Sequence, residues 1–272
     1  MALTRLQKSV CSLIAANRVS SGESYIAGDT ALNYAIQAQR LSRDIDIFHD
    51  SNEALRSSYD NDYSLLMAEG YCVEVIRDAP SYIEVLVSHD DERVILQWLR
   101  DSAFRFFPLV QDNQFGLVLH PFDLAANKVL ALVGRLEIRD WVDVINCSKK
   151  IQSLGLMAWA ASGKDPGFSP AAILSESQRS SRYTQIELSQ LDFAEPPPDI
   201  AELSGEWKRI LTNAYREIDL LPYAQVGNCL LDVSGKLFSG GINELKEALN
   251  HKTLMWHKGT LKGVLPQVSG IV

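Results

Sequence analysis

The chain has 272 residues, a mass of 30.3 kDa, 46% hydrophobic and 22% charged residues, and a net charge of -8. That ordinary globular composition excludes a disordered or collagen-like chain. The acidic balance excludes a surface that coats phosphate backbones generally, though not a local basic groove.

The length suits one large domain or two small ones. The charge is uneven: residues 1–150 carry -6 of it and residues 151–272 carry -2. Cys11, Cys72, Cys147 and Cys229 lie far apart and form no CxxC pair, so they read as reduced core thiols. The histidines form no metal-ligand spacing. The longest nearly apolar stretch, residues 154–161, falls short of the roughly 18–20 residues a membrane span needs. The first residues read as an amphipathic helix and not as a signal peptide, with Leu3, Leu6, Val10, Leu13 and Ile14 on one side. A cytoplasmic protein is the expectation.

After a turn at 20–23, a short strand (25–27) runs into Gly28, and a helix is predicted over 30–38, capped by Asp29 or Thr30. Residues 43–48 alternate, with Asp44 and Asp46 on one face and Ile45 and Ile47 on the other, so they form a strand. A helix over 52–69 stops at Gly70. Three β-rich runs at 71–77, 82–88 and 93–99 predict a meander. Residues 102–119, with Pro108 and Gly116, read as irregular. Helices are predicted over 122–134, 137–150 and 151–161. A domain boundary is expected at 162–170, giving regions 1–162 and 163–272. Beyond it come helical segments at 171–182 and 184–191, a stiff Glu195–Pro198 connector, and an amphipathic helix over 199–220. A hairpin at 229–238 turning at Ser234-Gly235 and a short helix at 242–250 follow.

Chemistry concentrates between Tyr25 and Phe48. The Gly28 turn opens a helix and brings backbone N–H groups within reach of a phosphate. Asp44 and Asp46, about 6.6 Å apart along their strand, can converge on a hard cation such as Mg²⁺, and a nucleoside triphosphate is its natural companion. The competing reading is an edge strand with a solvated face. Lys128 has Leu124, Ala125, Ala131 and Leu132 as its helical neighbours, so its ammonium emerges from an apolar face and needs an anion. A nucleotide phosphate is one partner; a structural ion pair or a snorkelling chain is the other reading. Arg139 and Asp143 are spaced as a helical ion pair. Phe104, Phe106 and Phe107 around Arg105 read as core packing more than as a base-stacking platform, and Trp256, His257 and Lys258 as surface.

These segments resemble the nucleotidyltransferase fold, and more narrowly the AbiEii/AbiGii abortive-infection toxin family. The resemblance rests on Gly28-Asp29-Thr30-Ala31-Leu32, on Arg40-Leu41-Ser42-Arg43-Asp44-Ile45-Asp46, on Lys128 and on Arg139-Asp140, and covers residues 20–150. It implies an α+β fold with a mixed sheet flanked by helices; beyond it, the chain pattern reads as a smaller, mostly helical C-terminal region. It also implies a Mg²⁺-dependent transfer of a nucleoside monophosphate from an NTP to an RNA, protein or small-molecule acceptor, by a toxin that a separate antitoxin protein neutralises. The implied site has Asp44 and Asp46 on the metal, and Gly28, Asp29, Thr30, Ser42, Arg43 and Gln97 around the nucleotide. Lys128 and Asp140 complete it, with Asp140 as base or as anchor for the lysine.

Two departures stand out. Asp29 follows Gly28 where Gly or Ser is usual, so its carboxylate must turn away from a triphosphate. The later strand that usually supplies a third carboxylate carries Gln97, with Glu84 on the preceding strand as a substitute. Gln97 supports the alternative of a binding or regulatory module that keeps the fold without the chemistry.

Overall fold

The computed structural model describes residues 3–268. In chain order the elements are α1 (Arg5–Ser21), β1 (Ser24–Ala27), α2 (Gly28–Ala35), β2 (Asp44–His49), α3 (Asn52–Ala68), β3 (Cys72–Ala79), β4 (Tyr82–His89), β5 (Glu92–Arg100), β6 (Phe104–Arg105), β7 (Val110–Asp112) and β8 (Gly116–Val118). Then come α4 (Pro121–Arg135), α5 (Ile138–Lys150), α6 (Leu154–Lys164), α7 (Pro170–Ser177), α8 (Gln185–Ser189), α9 (Ile200–Ile218), β9 (Asn228–Asp232), α10 (Ile242–His251), β10 (Leu254–Lys258) and β11 (Thr260–Leu261). They form two compact units. One holds residues 3–103, 109–120 and 192–194; the other holds 104–108, 121–191 and 195–268.

The first unit is a seven-stranded mixed sheet in the order β3-β4-β5-β2-β1-β8-β7. Its alternation follows the sequence: Ile45, Ile47, Ile83, Val85, Leu96 and Trp98 are buried, while Asp44, Asp46, Glu84 and Gln97 on the intervening positions are half-buried. Helices α1 and α3 cover the apolar face. Tyr59 of α3 meets Trp98 edge-on, ring centroids 5.3 Å apart, and the Trp98 indole N–H donates to buried Asp62. Helix α1 is fixed by a capping box between Thr4 and Gln7 and ends at Gly22 in the left-handed region.

The segment expected to be irregular, 102–119, contains three short strands. β8 runs parallel to β1 through Ile26–Val118, and two or three residues are too few to show a period.

In the second unit α6 is apolar on every side and buried along nearly its whole length. A helix of that kind must be enclosed, and α4, α7, α9 and β9 enclose it. This is why α4 to α6, expected with the N-terminal region, pack into the unit that holds the C-terminal elements. β9 pairs with β10 rather than folding fully onto 233–238; the predicted hairpin is reduced to a turn at Ser234-Gly235 and one Leu231–Leu237 bridge. Among the described residues no helix is long and apolar enough to cross a membrane.

Glu217 of α9 is 5% exposed, takes a 2.8 Å hydrogen bond from Ser153 Oγ, and lies so close to α6 that a Cβ on Gly155 would meet its Oε2 at 2.3 Å. Burial raises its carboxyl from 4.5 to about 7. The unfolded chain releases this proton near pH 4.5 and the folded chain near 7. Stability is therefore full below about pH 4.5 and falls as pH rises to about 7, by roughly 3 kcal/mol on the linkage relation. Urea denaturation of Glu217→Gln between pH 4.5 and 8 is expected to remove that slope; an unchanged slope contradicts it.

Candidate functional site

The Gly28 turn and the β2 carboxylates form one local structure. Gly28 has φ 68°, and a Cβ there would come within 1.8 Å of Asp46 Oδ2, so only glycine lets the Asp46 carboxylate sit on the turn. β1 and β2 bring them together by pairing Ala27 with Asp46. Thr30 Oγ1 donates to the Asp44 carbonyl at 2.5 Å, and Ser42 Oγ donates to Asp44 Oδ1 at 2.7 Å. Thr30 and Ser42 thus hold Asp44 in position. Gly28→Ala combines a left-handed backbone, about 1–2 kcal/mol, with displacement of Asp46. A loss of about 2 kcal/mol in urea denaturation is expected, and a change below about 0.5 kcal/mol contradicts the packing.

The expected helix cap is corrected. The residue before α2 is Ala27, which makes no side-chain cap bond. Asp29 instead turns to Arg40, whose Nη2 donates to Asp29 Oδ2 at 2.7 Å in a buried pair. A buried carboxylate needs a cation more than a helix end needs a cap. The loop preceding β2 is bound on its other side by residues 192–194. Leu41 N–H donates to the Asp192 carbonyl, Ala194 N–H donates to the Gln39 carbonyl, both at 2.8 Å, and Arg43 forms a two-point ion pair with Asp192. That pair lies at the surface, and Arg43 holds the Asp192 carboxyl below its ordinary value.

Register places Gln97 and Glu84 in one row with Asp46. Asp46 on β2 lies opposite Gln97 on β5, and Gln97 lies opposite Glu84 on β4. Gln97 Nε2 donates to Glu84 Oε1 at 3.1 Å. Tyr82 shares this face; burial first, then the Glu84 and Asp46 charges, push its phenol up to about 12, and the Arg77 guanidinium lies 5.2 Å from its ring centre.

In the second unit, Lys128 and Asp140 do meet. Lys128 Nζ is 2.9 Å from Asp140 Oδ1 and 3.3 Å from Asp143 Oδ2, and both aspartates are fully buried. Arg135 adds two bonds to Asp140, 3.0 and 3.1 Å long. Arg139 pairs with Glu137 at 2.6 Å, whereas its spacing suggested Asp143. Phe106 and Phe107 pack edge-on against Phe122, and His257 is buried with its Nε2 2.7 Å from the Phe106 carbonyl, so His257 belongs to the core and not to the surface. The residues that the sequence reading left out of the site are Arg40, Asp143 and Asp192. Arg40 stands in the quoted motif and gave a signal; Asp192 lies 149 residues from its partner and gave none.

No protein-family profile and no curated protein sequence matches the chain. Solved structures are similar. A candidate nucleotidyltransferase from H. pylori has TM-score 0.50 and 16% identity, over 81% of this chain and 100% of its own. JHP933 from Helicobacter pylori has TM-score 0.50 and 15% identity, over 80% and 95%. MenT4, a nucleotidyltransferase toxin from Mycobacterium tuberculosis H37Rv, has TM-score 0.49 and 16% identity, over 78% and 87%. The chain has the α+β nucleotidyltransferase fold, with its mixed sheet flanked by helices, as the sequence resemblance implied.

Proposed function

We propose that this chain is a nucleotidyltransferase that moves a nucleoside monophosphate from an NTP to an RNA, protein or small-molecule acceptor. The observation that carries this reading is the Asp46 carboxylate seated on the Gly28 turn, beside Asp44, on a half-open face of the sheet. The donors on that face fit Mg²⁺: carboxylate oxygens of Asp44 and Asp46 and the amide of Gln97 are hard oxygen ligands. Asp44 and Asp46 would hold the ion, which when bound offsets charge on the triphosphate. The backbone at Gly28 and Thr30 faces the nucleotide. Asp29, neutralised by Arg40, no longer opposes an anion there. In this reading Arg43 contacts phosphate once it leaves Asp192, an exchange that is inexpensive for so exposed a pair.

In the second unit, the role we propose for Asp140, from the sequence resemblance, is to hold Lys128. An anchor suits Asp140 better than a base, because Lys128 and Arg135 already occupy its oxygens. The biological setting we propose, from the sequence resemblance, is a cytoplasmic toxin paired with an antitoxin protein.

Gln97 favours one second reading, a module that binds nucleotide without transferring it. The test incubates the chain with each α-labelled NTP, Mg²⁺ and total tRNA, protein or small-molecule acceptors, beside an Asp44→Ala/Asp46→Ala control. Transfer that needs both aspartates supports the enzyme. Binding without transfer supports the module, and absence of binding contradicts both.

A further inference from the structure

We propose that Glu84 is a positioning residue for the cation site, orienting the Gln97 side chain so that its amide oxygen faces the cation held by Asp44 and Asp46. This rests on the preceding proposal. A glutamine amide presents oxygen or nitrogen in nearly the same shape, and its partners decide which. Only the oxygen can ligate a hard cation. Asp46, Gln97 and Glu84 stand in one register row across β2, β5 and β4, with neighbouring strands about 4.8 Å apart. Gln97 therefore stands between two carboxylates. A carboxylate can only accept, and here it takes the amide N–H: Gln97 Nε2 donates to Glu84 Oε1 at 3.1 Å. With the nitrogen committed to that side, the amide oxygen is left for the Asp46 side. Glu84 is itself held by the hydroxyl of Tyr82, two residues earlier on the same face. The device converts a neutral side chain, in a place where a carboxylate would ligate directly, into a ligand of defined orientation. Partners of this kind behind a ligand typically contribute 10–100-fold in metal affinity.

The experiment is a double-mutant cycle read as Mn²⁺ affinity by titration calorimetry and by the electron paramagnetic resonance signal of free Mn²⁺. Glu84→Met is expected to weaken Mn²⁺ binding about 10-fold in the wild-type background. In the Gln97→Glu background the two ligand oxygens are equivalent, nothing needs orienting, and Glu84→Met is expected to leave Mn²⁺ affinity unchanged or raise it. An equal loss in both backgrounds marks Glu84 as only a nearby negative charge and overturns the inference, as does no loss in either. Glu84→Gln, closer in shape, repeats the cycle should Glu84→Met fail to fold, with a smaller loss expected in the wild-type background only. If neither the wild-type chain nor Gln97→Glu binds Mn²⁺, the cation site itself fails and this inference with it. Intact wild-type binding with equal losses sinks the inference alone.

Discussion

Asp46→Asn is expected to lower the rate of label transfer by about 10³-fold while changing stability by less than about 1 kcal/mol. The substitution keeps the side-chain shape against Gly28 but removes the charge that, under the proposed function, would hold a cation. Metal-ion catalysis is worth several kcal/mol, and about 4 kcal/mol corresponds to that factor. Asp46 is half-buried, and asparagine keeps its shape there. Asp44→Asn is expected to act similarly, with a further small loss in stability because Ser42 Oγ donates to Asp44 Oδ1. Pyrophosphate release measured beside urea denaturation separates the two effects. A rate loss below about tenfold at unchanged stability contradicts a metal role for Asp46.

Lys128→Met has the opposite profile, with stability falling first. Asp140 and Asp143 are both fully buried, and Lys128 is the cation they share. Removing one member of a buried pair costs about 3–5 kcal/mol, because the remaining charge is left in a medium of low polarisability. Arg135 still reaches Asp140 and limits the loss on that side. The Lys128→Met/Asp143→Asn double variant is therefore expected to recover part of the stability. Urea denaturation of the two variants measures this. A loss under about 1 kcal/mol for Lys128→Met contradicts the structural share of the pair.

What was legible in the sequence is what short-range pattern encodes. The strict alternation of Asp44-Ile45-Asp46-Ile47 placed the carboxylates on one face, and the sheet has them there because a one-residue shift would bury both charges. The apolar surroundings of Lys128 announced an anion, and the resemblance pointed to Asp140, which does contact it. The meander β3 to β5 followed from β-branched runs and turn residues. Other features depended on distance along the chain. Asp29 had several local fates open to it, and only the fold brought Arg40 close enough to select one. Asp192 reaches Arg43 because residues 192–194 bind the loop before β2, a contact without local signature. β8 is three residues long and is a strand because β1 and β7 flank it. The enclosure of α6 likewise needs the positions of four other elements, which a helical pattern does not contain. Gln97 was singled out in the sequence as standing where a third carboxylate is usual, but its hydrogen bond to Glu84 required the register of β4 as well.

The central claim is that Asp44 and Asp46 hold a divalent cation for nucleotidyl transfer. The most direct test is anomalous X-ray scattering from crystals of the chain grown with Mn²⁺ and a non-hydrolysable NTP. The account predicts a manganese peak at a bonding distance of about 2.1–2.2 Å from carboxylate oxygens of both Asp44 and Asp46, with triphosphate density against the Gly28 turn. Manganese and nucleotide bound elsewhere, with Asp44 and Asp46 touching neither, would contradict it.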